Sequence, residues 1–309
     1  NLNTGEILLV AGKGHETIQE IGVKKIIFSD KKVILNAIKI KNLSLSNDLK
    51  FNILKELSEE KKLSSRITLK KAQINSKEIK KGDIFFAIKG KKNDGNKFIS
   101  EAFNKKASIA IVNKISKNNN IKHQIKVRDS LKFLTQSSKI YRKNINTKIV
   151  AITGSCGKTT LKELLGNSLK KLSKTSTSPK SYNNKYGVPL SLFNLNQKDD
   201  YGVLEIGMDK KGEIDYLSKI VQPDVSVITN INYAHAKNFK NLKHIALAKS
   251  EIIHNTKNNG FIVLNADDNF FTFHKKIALK KNLKIVSFGI KSKYSNIKFI
   301  NTKKFKKQF

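Results

Sequence analysis

Residues 150–163 read VAITGSCGKTTLKE, an apolar run that passes through a turn of small residues into a Lys-Thr-Thr helix start. A strand, a glycine-bearing loop and a helix in that order form phosphate-binding architecture. The backbone N–H groups of Gly154, Ser155, Cys156 and Gly157, with the first helical turn through Thr160, are expected to face an anion. Lys158 adds a point charge and Thr159 a hydroxyl suited to Mg²⁺, so the stretch nominates ATP. The usual phosphate loop carries a glycine five residues before its Gly-Lys pair, and here that position is Ile152, so the loop is a shorter variant. The competing reading of Gly-Lys-Thr is an ordinary strand-to-helix turn.

A chain of 309 residues, 39% hydrophobic, is long enough for two or three cored domains. No apolar run approaches the roughly 18 residues of a membrane span, and residues 1–30 lack a secretory signal, so a cytoplasmic location is expected. Cys156 is the one cysteine and has no disulfide partner, which suits a reducing compartment. The charge of +37, from 61 basic and 24 acidic residues, would ordinarily suggest nucleic acid. The lysines, however, are spread along the whole chain, only three residues are Arg, and no aromatic-basic interleaving forms a stacking platform. We therefore expect no specific nucleic-acid partner, although an anionic small substrate would gain from the field.

Strand signals at 149–153, 202–206, 225–229 and 261–264 alternate with helical patterns at 158–172, 213–221 and 242–255. This predicts an α/β fold with a doubly wound, mostly parallel sheet over 146–309. Ligands of such sheets sit at strand carboxyl ends, where Gly154, Glu205 and Asn230 fall. Before it, residues 63–145 read as a smaller α/β domain, with strands at 84–88 and 109–112 and helices near 98–104 and 130–142. A strand at 6–10, a GKGHE turn at 12–16, a strand at 26–28 and a helix from about 29 to 40 read as the tail of another α/β unit, 1–41. Residues 42–62 read as a tether that includes an amphipathic helix.

Four segments then combine: TGSCGKTT at 153–160, SYNNKYGVPL at 181–190, EIGM at 205–208, and His235 with Lys249 fourteen residues on. Together they resemble the central domain of the Mur ligase family, most closely its MurF branch, which adds D-alanyl-D-alanine to UDP-N-acetylmuramoyl-tripeptide. NSK at 75–77, KGDIFFA at 81–87 and KG at 89–90, followed by Asp94-Gly95 and Phe98, are similar to that branch's UDP-sugar-binding domain. Ser76 and Lys77 would contact that substrate, with Lys77 in place of the usual Arg. LLVAGKGHE at 8–16, then FSD at 28–30, resembles the carboxyl-terminal end of the MurE branch, where Gly12 and Glu16 would help hold an incoming diamino acid. On its own that stretch also reads as a glycine-rich turn. The resemblance thus implies a piece of a MurE-MurF fusion, a multifunctional enzyme whose carboxyl-terminal Rossmann-like domain is missing, so that this chain alone turns over negligibly.

The implied chemistry is ATP-dependent amide formation in cell-wall precursor synthesis by a monomer. Lys158 and Mg²⁺ would neutralise the phosphates and the attacking carboxylate. Thr159 and Glu205 would hold one Mg²⁺, and His235 and Lys249, the latter as a carbamate, the second. In isolation Glu205 also reads as a solvated strand end. Asn183 and Asn184 would contact substrate or order its loop, and Asn265 would approach the nucleoside. MDKK at 208–211 and Lys237 depart from the family pattern. The competing classes are another amide ligase of the same superfamily and a nucleic-acid-binding P-loop ATPase.

Overall fold

In the computed structural model the described residues are 18–21, 24–45, 49–58, 69–90, 93–233, 238–293 and 295–300. The described residues begin with an antiparallel pair, β1 (Ile18–Ile21) and β2 (Lys24–Ile27), followed by α1 (Asp30–Leu45) and α2 (Leu49–Ser58). The strand expected at 6–10 and the GKGHE turn lie outside the described residues.

A small parallel sheet follows, in the order β3 (Ala72–Gln73), β4 (Ile84–Phe86), β5 (Ile109–Val112) and β6 (Gln124–Lys126), with α3 (Ile99–Asn104) beside it. Its central strands are buried at every position, which is why IFF and IAIV are continuous apolar runs rather than alternating ones. The free edge of β3 is closed by one side chain. The Ala72 N–H donates to Asn194 Oδ1 at 2.7 Å, and Asn194 Nδ2 donates to the Ala72 carbonyl at 2.8 Å.

α4 (Ser130–Lys143), capped by Asp129 on the N–H groups of Leu131 and Lys132, leads into the larger unit. That unit runs through β7 (Lys148–Thr153), α5 (Lys158–Lys170), β8 (Thr175–Thr177), α6 (Gly187–Phe193), β9 (Tyr201–Glu205), α7 (Glu213–Val221) and β10 (Val225–Ile228). It continues through α8 (Leu242–Asn255), β11 (Phe261–Asn265), α9 (Phe271–Lys280), β12 (Lys284–Gly289) and β13 (Ile297–Lys298). Its seven strands lie in the order β13-β12-β11-β10-β7-β9-β8, and each pairing is parallel. The chain winds to one side of β7 through β8 and β9 and to the other through β10 to β13. The carboxyl end of β7 is therefore the switch point where such sheets open a binding crevice.

α5 covers one sheet face through Leu161, Leu165 and Leu169 against Val150, Ile152, Val203 and Val227. The other face carries the main core, where Ile149, Ala151, Leu204 and Ile228 meet apolar side chains of α4, α6, α7 and α8. The helix at 49–58 differs from its expected role as part of a tether. Leu49, Phe51, Ile53 and Leu54 are buried in that same core and the helix packs on α4. Its apolar residues form a stripe that α4 covers, and a solvated tether has no such cover.

Candidate active site

The loop between β7 and α5 is drawn tight by its glycines. Gly154 has φ +149°, and a Cβ there would sit 1.8 Å from Thr229 Oγ1 at the end of β10. Gly157 has φ +78° immediately before α5, in the left-handed region where a side chain is strained. Ser155 N–H donates to the Asn230 carbonyl at 3.0 Å, Cys156 N–H to Asn230 Oδ1 at 3.0 Å, and Thr229 Oγ1 to the Cys156 carbonyl at 2.6 Å. Ser155 Oγ donates to the Asn232 carbonyl at 2.8 Å. The anion-facing set is thus narrower than the sequence suggested, because two of the loop amides are engaged by Asn230. What faces outward is the start of α5, whose first intrahelical bond is Leu161 N–H to the Gly157 carbonyl at 2.9 Å. There the helix N-terminus and Lys158 combine positive potential, with Lys158 Nζ donating to the Gly154 carbonyl at 2.9 Å.

Glu205 ends β9, directly beside β7, and is 1% exposed. Its carboxylate is shared. Oε2 accepts from Thr159 Oγ1 at 2.7 Å and Oε1 from Asn183 Nδ2 at 2.7 Å. A buried carboxylate is costly unless hydrogen-bonded, and here both oxygens have donors. The reading of Glu205 as a solvated strand end therefore fails. A carboxylate and a hydroxyl in contact beside a phosphate loop are the hard oxygen donors that Mg²⁺ takes together with nucleotide phosphates, so the residues fit that ion. Among the described residues no three His, Cys, Asp or Glu side chains converge.

Lys249, on the buried face of α8, is 2% exposed. Burial, reinforced by the charge of Lys158, lowers its pKa from 10.5 to about 7. One turn earlier the Ala246 carbonyl lies 3.1 Å from Nε2 of buried His274 on α9, which ties the two helices together. A lysine held near neutrality can react as an amine at ordinary pH.

The remaining expected residues divide. Asn183 points at Glu205, whereas Asn184 Oδ1 accepts from the N–H groups of Tyr186 and Gly187, both at 3.0 Å, and orders the start of α6. Asn265 closes β11 and accepts from Asp267 N–H at 3.0 Å. Asp267 accepts in turn from the N–H groups of Ile290, Lys291 and Ser292, which hold its carboxyl below the usual range. On the small domain Ser76 is buried and donates to Glu101 Oε2 at 2.8 Å, while Lys77 is exposed. His235, Lys237, Gly12 and Glu16 lie outside the described residues. Sequence reading passed over Thr229, Asn232 and Lys162. Lys162 had one available signal, a charge on a helix between Leu161 and Leu165. Between the two sheets, a cavity of about 1150 Å³ is lined by residues that include Gln73, Glu78, Lys180, Tyr182 and Asn194.

Known proteins resemble this chain over most of its length. Residues 152–309 match the Mur ligase middle domain, and residues 69–153 match the Mur ligase family catalytic domain. The UDP-N-acetylmuramoyl-tripeptide--D-alanyl-D-alanine ligase of Buchnera aphidicola subsp. Acyrthosiphon pisum is 40% identical over 234 residues, which are 74% of this chain and 50% of that protein. The protein of the same name from Rickettsia prowazekii is 36% identical over 236 residues, 75% and 52% of the two chains. MurF from Acinetobacter baumannii superposes with a TM-score of 0.67 at 33% identity, over 77% of this chain and 52% of that one. MurF ligase from Thermotoga maritima in complex with ADP gives 0.63 at 33%, over 74% and 52%. The chain spans about half the length of the curated relatives it matches.

Proposed function

The chain belongs to the Mur ligase family, and from that premise we propose that it carries the ATP-binding and UDP-sugar-binding parts of a D-alanyl-D-alanine-adding ligase. The observation that carries this reading is Glu205, one buried carboxylate joined at once to Thr159 of the phosphate loop and to Asn183 of the facing turn. It makes a nucleotide site and an acceptor site share one group. The names of its relatives give the two substrates, and the proposed chemistry joins them through an acyl phosphate. The terminal carboxylate of UDP-N-acetylmuramoyl-tripeptide attacks the γ-phosphorus of ATP, and ADP leaves. The amine of D-alanyl-D-alanine then attacks the acyl carbon of the resulting acyl phosphate, phosphate leaves and the amine gives up a proton.

Both steps bring anions together, so the protein's contribution is positioning and charge. Lys158 and the α5 N-terminus would hold the nucleotide phosphates. Thr159 and Glu205 would hold Mg²⁺, with His235 and a carbamate on Lys249 around a second ion, and the bound ions supply the neutralisation that lets a carboxylate approach a phosphate. Lys249 is suited to carbamylation because its depressed pKa leaves the amine free to take up CO₂. Asn183 caps Glu205 Oε1 on the acceptor side, while Thr159 by itself holds Oε2 on the nucleotide side. The cavity between the sheets, with Lys180 and Tyr182 on its wall, adjoins Asn183 in sequence and suits the sugar-peptide. Among the described residues no helix is long and apolar enough to cross a membrane. The proposed ligase would act where ATP is found, in the cytoplasm, and as a monomer.

A trapping experiment tests this reading. With protein in stoichiometric amount, MgATP and hydroxylamine, UDP-N-acetylmuramoyl-tripeptide should yield its hydroxamate, and Lys158→Met should yield none. ATP hydrolysis that ignores the tripeptide and rises with DNA would instead favour the nucleic-acid-binding class. For residues 1–41, the GKGHE segment supports the end of a MurE-type ligase fused ahead of this one, and the family matches begin only at residue 69. The reading frame ahead of Asn1 tests that, since it should encode the rest of a diamino-acid-adding ligase.

A further inference from the structure

Lys162 sits one turn into α5 and is fully buried, yet it lies outside the nucleotide chemistry described above. Its ammonium donates to the Ser178 carbonyl at 2.8 Å and to the Lys180 carbonyl, and Glu163 Oε1 lies 3.0 Å away. An ammonium has three N–H donors, and these are three acceptors. Two of them belong to a single turn, residues 178–180, in which Lys180 has φ +47°. That turn leads to Asn183. Tyr182 N–H donates to the Pro179 carbonyl at 3.1 Å, Asn183 N–H to the Ser181 carbonyl at 2.7 Å, and Gly207 N–H to the Asn183 carbonyl at 2.8 Å. The same α5 face carries Gly166, where a Cβ would lie 2.2 Å from Thr177 Cγ2 on β8. The helix is therefore pressed against β8 closely enough for the ammonium to reach the turn that follows that strand.

We infer that Lys162 is a positioning residue that fixes the 178–184 turn, and through it Asn183, in the geometry that binds the acceptor. The inference rests on the proposed acceptor site, and it separates Lys162 from Lys158. One lysine serves the phosphates at the helix start, and the other serves the acceptor turn from within the helix. Misplacing a contact by about 1 Å costs up to a hundredfold where geometry matters, so loss of the clamp should be read at the acceptor and not at the nucleotide.

The test uses the full chain and its Lys162→Met variant, which keeps the length of the side chain and removes the donors. Titration calorimetry with UDP-N-acetylmuramoyl-tripeptide should show about tenfold or greater weakening, with MgADP affinity unchanged within about threefold. Amide exchange at Tyr182, Asn183 and Gly207 should accelerate by about tenfold while β7 and β9 stay protected. Gly166→Ala, which keeps the lysine but pushes α5 off Thr177, should give the same local pattern and covers the case in which Lys162→Met does not fold. Parallel loss of both affinities with uniform exchange, or no change in either, would overturn the inference. If the wild-type chain fails to bind the sugar-peptide, the acceptor assignment is wrong, and the exchange pattern still decides whether Lys162 fixes the turn.

Discussion

Replacing Lys249 by Met should stabilise the ligand-free protein, and the gain should shrink as pH rises. The lysine's pKa falls from 10.5 to about 7 on folding, through burial and then the charge of Lys158. Between those values the unfolded chain binds the proton and the folded chain does not, so wild-type stability climbs with pH across that window. Below it the full cost is present, and a shift of about 3.5 units at 1.36 kcal/mol each sets it at roughly 5 kcal/mol. At pH 6.5 the same relation leaves roughly 4–5 kcal/mol, and at pH 9.5 roughly 1 kcal/mol. Methionine has similar length, tolerates irregular packing and carries no charge, so it escapes the cost at every pH. The assay is urea unfolding of both proteins at pH 6.5, 8 and 9.5 in CO₂-free buffer without nucleotide. Taking the difference between variants cancels the other titrating groups. The gain should fall by about 3 kcal/mol across the range. A gain that is flat with pH, or a Met variant less stable than wild type at pH 6.5, would refute the reasoning that Lys249 is desolvated and driven toward neutrality.

Other sites give independent outcomes. With ¹³C-bicarbonate at pH 8.5 the wild type should show a carbamate carbonyl signal by NMR, and Lys249→Met should lack it. Arg142 is buried and donates to the carbonyls of Val221, Gln222 and Thr147 and to Asp224 Oδ2 at 2.7 Å, so it ties α4 to the central sheet. Arg142→Ala strips the buried carbonyls of Thr147 and Val221 and that of Gln222 of their donor and should cost about 3–5 kcal/mol in urea unfolding, with Asp224 still held by the Ile149 N–H and Lys257. Gly154→Ala places a methyl onto Thr229 at a left-handed φ and should abolish MgADP binding in calorimetry, with a fall in Tm. Glu205→Gln should weaken nucleotide binding about tenfold in Mg²⁺ but leave the metal-free affinity near wild type.

Much of this was legible in the residues. Runs such as IVAIT and FIVLN are apolar throughout because parallel strands are covered on both faces, and that pattern, with the helices between, placed most of the large sheet. Strands β3, β6 and β8 went unread because two or three residues make no period, and α9 because FTFHKKIALK spreads its apolar positions around the helix. The phosphate loop, Glu205 and Lys249 could be nominated because each sits at a motif or a family register. What no local pattern could reveal were side chains whose partners lie far along the chain. Asn230 takes up loop amides more than seventy residues away, and Asn194 closes the edge of β3 from 122 residues away. Lys162 is one lysine among many until the turn it holds is seen.

The central claim is that the α5 N-terminus, Lys158, Thr159 and Glu205 form one Mg²⁺-nucleotide phosphate site. Isothermal titration of the 309-residue chain with MgADP tests it most directly, beside Lys158→Met and Glu205→Gln. The account requires saturable 1:1 binding in the wild type that falls at least about tenfold in each variant at matched Mg²⁺. Equal MgADP affinity in all three proteins, or no binding by a folded wild type, would contradict it.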